Sequence, residues 1–187
     1  MKLIRKISIL PVLLAVGGLV AAPIVEAQPP QSVKQLAVAR GVVQVGDEAP
    51  NFILRDLAGN AMSLSQLRGK VVLLNFWATW CGPCRAQMPA IAKLHAALKG
   101  QDAVVLGIND DEEAGKARDY IKENGYDWAH LFNDKALNAR QKFKVNGIPT
   151  LILLDREGKV VEYQVGSGGG TEEEIRKGLR QLGIRVD

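Results

Sequence analysis

The sequence predicts an α/β domain in which a central mixed β-sheet is sandwiched by helices. Three nearly continuous apolar runs, Val71–Trp77, Ala103–Ile108 and Thr150–Leu154, have the composition of strands covered on both faces. Between the first two runs, Cys84, Met88, Ile91, His95 and Leu98 recur at spacings of three and four, the buried stripe of a helix that ends at Gly100. Strand, helix and strand in that order make a crossover unit with its strands parallel. The 187 residues, 47% of them hydrophobic, suffice for one domain with a sizeable core. Disorder, a collagen-like chain and a disulfide-stapled mini-protein are excluded.

Taken in chain order, Lys2, Arg5 and Lys6 precede an apolar stretch, Ile7–Ala22, and Val25-Glu26-Ala27 offers small residues at the spacing a signal peptidase reads. Residues 1–27 are read as a cleaved secretory signal. The competing reading is an uncleaved N-terminal membrane anchor, although Pro11, Gly17, Gly18 and Pro23 interrupt a spanning helix of about 20 residues. Both place the folded part in the periplasm or otherwise outside the cytoplasm, where thiols are not held reduced. Residues 28–40, opening on Pro29-Pro30, read as a flexible lead-in, and residues 41–187 as the domain.

The domain begins with a strand and hairpin extension: short strands at Val42–Val45 and Asn51–Arg55, then a turn at Asp56–Asn60 into Ala61–Leu64. Ser65–Arg68 fits one helical turn ended by Gly69. A second long helix is expected from Glu112 to Asn124, closed by Gly125, and a third from Lys135 to Lys142 behind an Asp134 cap. After the Asp155–Gly158 turn, Val161, Tyr163 and Val165 alternate with polar residues, as in an antiparallel strand near a sheet edge. Thr171 with Glu174 reads as a capping box, and Ile175, Leu179 and Leu182 as the core face of the last helix. His95 is expected at the edge of its helix stripe and His130 on the surface beside Trp128.

Charge and composition remove several functions. The formal charge is +4, and removing residues 1–27 takes away three cations and one anion, leaving +2, too weak a bias for nucleic acid. Two cysteines and two histidines are too few for a cluster-type metal site, and no metal or organic cofactor is expected. Arg85 stands where haem attachment needs a histidine. Gly166–Gly170 lacks the Lys-Ser/Thr of a phosphate loop and reads as a flexible connection. Asp110–Glu113 reads as a solvated helix start.

The chemistry concentrates in Trp80-Cys81-Gly82-Pro83-Cys84, where an apolar strand gives way to a helix. Unpaired N–H groups and the macrodipole at a helix N-terminus favour negative charge, so Cys81 is expected to ionise readily and act as the nucleophile. Cys84, three residues on, shares its helical face and is the more buried, resolving thiol, close enough to bond to Cys81. Gly82 lets a partner approach the backbone, and Pro83 fixes φ where its missing N–H is not needed. Trp80 either docks that partner or covers the site.

Residues from about Gly46 to Leu182 resemble the thioredoxin superfamily, and within its redoxin group the extracytoplasmic TlpA/ResA-like thiol–disulfide oxidoreductases. The matching stretches are Val45–Phe52, Leu64–Lys70, Asn75–Arg85 and Gly147–Thr150. Ala78 stands where a peroxiredoxin has threonine, which counts against peroxide chemistry. The resemblance implies a thioredoxin-like fold and a cis Ile148-Pro149 bond beside Cys81, with the Ile148 backbone free to pair with an extended substrate. It also implies reduction of disulfides in extracytoplasmic client proteins, with electrons from a membrane thiol reductase. Such relatives often serve cytochrome c maturation. Two departures stand out: Asn75 replaces the buried aspartate of thioredoxin, and Gln87 the usual glutamate, so water is expected to take the Cys84 proton and client release to be slower. Disulfide oxidation or isomerisation is the alternative within the same chemistry, and a non-enzymatic metal-binding module the alternative outside it.

Overall fold

A computed structural model describes residues 43–133 and 138–186. The expected leader, lead-in and Asp134 cap lie outside the described residues. Strands β1 (Ile53–Asp56) and β2 (Ala61–Ser63) form a hairpin, followed by a 3₁₀ turn (Leu64–Leu67), β3 (Val71–Trp77) and α1 (Gly82–Leu98). Then come β4 (Ala103–Asn109), α2 (Ala114–Asn124), β5 (Ala129–Phe132), α3 (Ala139–Lys142), β6 (Thr150–Leu154), β7 (Val160–Val165) and α4 (Gly169–Gln181). The seven strands form one mixed sheet in the order β2-β1-β5-β4-β3-β6-β7. The apolar runs occupy its middle: β3 and β4 are parallel, Val71 opposite Ala103 through Trp77 opposite Asn109, and β6 lies antiparallel on the other side of β3.

All seven residues of β3 are buried because both faces of the sheet are covered. Val71, Leu73 and Trp77 pack with Met88, Ile91 and Leu94 of α1 and Ile175 and Leu179 of α4. Val72, Leu74 and Phe76 point the other way, onto Phe52, Leu64 and Phe143. The α1 stripe is Cys84, Met88, Ile91, Leu94 and Leu98. Leu94 takes the core position, and His95 sits at the edge, as expected, its Nε2 3.2 Å from Asp127. Helix α4 approaches the sheet through Gly178, where a Cβ would lie 2.7 Å from Leu153 Cδ2.

Several boundaries differ from expectation for identifiable reasons. The described residues of the expected strand at 42–45 are not in a strand. Gln44 donates to the Asp47 carboxylate (3.0 Å) and closes a turn, so the hairpin extension is β1 with β2. The four-residue β5 is too short for a periodicity signal and is absent from the expected elements; it pairs parallel with β4 and antiparallel with β1. Helix α2 begins at Ala114 rather than Glu112 and ends at Gly125 in the left-handed conformation. Helix α3 is a single turn capped by Asn138, whose side chain accepts from Gln141 N. Thr171 makes no capping box, because α4 starts at Gly169 and places it inside the helix. The capping box instead joins Ser63 and Gln66 at the 3₁₀ turn. Strand β7 is an edge strand, but a register shift at Leu153/Leu154 breaks its alternation. Val161 therefore packs on the α1/α4 side, Tyr163 on the opposite side, and Val165 is exposed.

Candidate active site

The parallel strands β3 and β4 end side by side, and the chain leaves β3 through Ala78-Thr79-Trp80 to reach α1. Cys81 N donates to Ala78 O (3.2 Å), closing a tight turn that delivers Cys81 to the N-cap of α1. Its backbone is extended, its carbonyl accepts the first helical bond from Arg85 N, and its sulfur accepts from Cys84 N at 3.2 Å. Sulfur thus occupies the place where a cap oxygen would satisfy a free helical N–H. Those donors and the macrodipole favour a thiolate there when the bond is reduced. In the structure Cys81 and Cys84 form a disulfide, their Cα atoms 5.2 Å apart. Cys84 is 1% exposed and Cys81 5%, so Cys84, the expected resolving thiol, is the deeper of the two.

The remaining expected site residues converge here. Gly82 and Pro83 are exposed in the first turn of α1, and Trp80 is 65% exposed beside them. Ile148-Pro149 is cis, and the Ile148 carbonyl oxygen lies 3.8 Å from Cys81 Sγ.

Asp111 reverses the reading of the acidic run as a solvated helix start. Its carboxylate is buried, with Thr79 N donating to both oxygens (3.1 and 3.2 Å), Thr79 Oγ1 to Oδ1 (2.8 Å) and Asn109 Nδ2 to Oδ2 (2.8 Å). Neighbouring Asp110 pairs with Arg140 and accepts from Asn133 Nδ2. Helix α2 starts only after these residues: Asp111 holds the loop before Cys81, while Asp110 ties the end of β4 to Asn133 and Arg140. No local pattern marks such a role, since the bonds from Thr79 span 32 residues.

Beneath α1, Asn75 is buried with Nδ2 donating to Met88 Sδ (3.6 Å) and Oδ1 without a partner. Gln87 is partly exposed on α1. His130 is buried, not on the surface as expected. Register places Gly107 of β4 directly beside it, and with no side chain there the imidazole lies across that glycine. It packs on Trp128 (4.8 Å) and Trp77 (5.5 Å), and Tyr126 and Tyr120 complete a ring of aromatic contacts. Both of its nitrogens lack a hydrogen-bond partner. Burial, helped slightly by His95, pushes its pKa down to about 3.

Fold and site together define a thioredoxin-like domain built for thiol–disulfide exchange. The chain belongs to the redoxin family, whose model matches residues 44–179. It is 35% identical over 141 residues to the thiol-disulfide oxidoreductase ResA of Bacillus cereus, covering 75% of this chain and 79% of that one. The Bacillus subtilis ResA is 34% identical over 125 residues, covering 67% and 69%. The thioredoxin domain of a Bacteroides vulgatus thiol-disulfide oxidoreductase superposes with a TM-score of 0.65 at 28% identity, over 72% of this chain and 97% of that one. The protein is a thiol–disulfide oxidoreductase, and Cys81 and Cys84 are its redox pair.

Proposed function

We propose that this chain reduces disulfides in extracytoplasmic proteins. The Cys81 thiolate attacks a client disulfide, forming a mixed disulfide and expelling one client thiolate, which takes a proton. Cys84 then loses its proton to water, attacks Cys81 Sγ, and releases the second client thiolate; the enzyme leaves oxidised by two electrons. A membrane thiol reductase returns those electrons. Trp80 and the Ile148-Pro149 segment form the docking surface, and apocytochrome cysteines are one client class that the resemblance implies. The observation that carries this reading is the Cys81–Cys84 disulfide capping α1, with an exposed indole and the Ile148 backbone carbonyl beside it. Direction is tested by equilibrating the pair against glutathione and following indole fluorescence. A potential near that of thioredoxin, about −270 mV, supports the reductase, whereas one above about −150 mV overturns it in favour of an oxidase. Cys84→Ser expressed with its own N-terminal segment should retain its client as a covalent Cys81 adduct.

A further inference from the structure

The loop that carries Cys81 is pinned by a buried carboxylate that has no cationic partner among the described residues. Both oxygens of Asp111 accept hydrogen bonds, as those of an ionised carboxylate do. Three of the four bonds come from Thr79, two residues before the nucleophile. Among the described residues Asp111 has no Lys, Arg or His within ion-pair distance, whereas the other charges nearby are engaged. Asp110 pairs with Arg140, and Lys116, which borders the same depression beside Trp80, pairs with Glu113. Glu112 lies on that rim and Asn133 closes it from the end of β5. Arg85 on α1 is exposed to solvent.

We propose that Asp111 poises the Cys81–Cys84 pair as an electron donor, its negative charge opposing the helix dipole at Cys81 and so favouring the disulfide over the dithiol. The physics runs in one direction. A dipole and N–H donors at the N-cap stabilise the Cys81 thiolate, and taken alone they stabilise the dithiol, which makes the pair an oxidant. A nearby anion disfavours the thiolate and so favours the disulfide, making the dithiol a better electron donor. Thr79 is two residues from Cys81, so carboxylate and sulfur are separated by on the order of 10 Å. A unit charge at that distance and an effective dielectric constant of about 20 changes an equilibrium by about tenfold. Asp111 acts on the Cys81 thiolate through space, by its charge, and is not a catalytic residue.

The inference deepens the reductase reading and rests on it, but its test is a difference between variants. Asp111→Asn keeps the shape and removes the charge. The Cys81 thiol, followed by thiolate absorbance or iodoacetamide alkylation against pH, should become about tenfold more acidic, and the equilibrium with glutathione at pH 8 should move about tenfold toward the dithiol, about 30 mV. Thr79→Ala removes a hydroxyl hydrogen bond and leaves the charge, so both readouts should stay within about twofold of wild type. Unchanged values in Asp111→Asn overturn the proposal, as does an equal shift in Thr79→Ala, which makes the effect one of loop geometry. If Asp111→Asn does not fold, the exchanged pair Asn109→Asp/Asp111→Asn keeps an amide–carboxylate bond while withdrawing the charge from Thr79. A smaller shift of the same sign then supports the proposal and no shift overturns it. The wild-type potential alone decides the reductase reading, so the two can fail separately.

Discussion

Lowering the pH from 7 to 5 should destabilise the oxidised protein by about 2 kcal/mol through His130 alone. The imidazole has a pKa of about 3 in the folded chain and 6.5 as its ordinary value. Because the folded value is the lower, stability is fully present above 6.5 and is lost as pH falls toward 3, where the unfolded chain takes up a proton that the folded chain refuses. At pH 7 the unfolded chain gains almost nothing, while at pH 5 it gains about 1.5 pK units of protonation free energy, or about 2 kcal/mol. The perturbation that isolates this is His130→Phe. Neither ring nitrogen has a partner to lose, so the variant should be within about 1 kcal/mol of wild type at pH 7. His95, also shifted down by burial against the opposing pull of Asp127, remains in both proteins and cancels. Asp56 and Asp127, both held below their ordinary value of 3.8, lose their contributions only in more acid solution. Urea unfolding of both oxidised proteins at pH 7 and pH 5 gives the double difference. Wild type should lose about 2 kcal/mol more than His130→Phe over that interval; parallel losses would show that the imidazole is not held neutral by burial.

Two further outcomes follow from packing and exposure. Gly178→Ala gains up to about 1 kcal/mol of helix propensity. Its Cβ, however, meets Leu153 Cδ2 at 2.7 Å and Glu162 Cγ at 3.1 Å, with Leu153 fully buried. Overpacking of about 1–3 kcal/mol should win, and a net loss near 1 kcal/mol is expected in urea unfolding. Trp80→Ala, at a residue 65% exposed, should change stability by less than about 0.5 kcal/mol. It should raise KM for a folded disulfide client and leave the rate with a small aromatic disulfide unchanged; equal losses on both would assign Trp80 to shaping the sulfur site rather than to docking.

Both the middle of the sheet and the redox pair are legible in the amino-acid order itself. The runs at Val71–Trp77, Ala103–Ile108 and Thr150–Leu154 are strands because uninterrupted apolar residues can be buried on two faces at once. Cys81 and Cys84 declare themselves because a helix brings residues three apart to one side, a relation written in local spacing. Weak local signals mislead. Val42–Val45 is apolar enough for a strand, yet the Asp47 carboxylate holds its end in a turn. Thr171 has the residues of a capping box, but the chain turns helical two residues earlier.

Periodicity and spacing within about a dozen residues therefore determined the layers of this protein, the placement of its cysteines at a strand-to-helix junction, and so its chemistry. Tertiary structure alone decided the surroundings of that chemistry. Asp111 reaches Thr79 across 32 residues of chain, and Ile148 reaches Cys81 across 67. His130 is buried because a glycine on the neighbouring strand leaves room for its ring and Trp77 and Trp128 pack against it. A polar side chain's environment depends on which distant residues fold against it, and a string of neighbours carries almost no record of that.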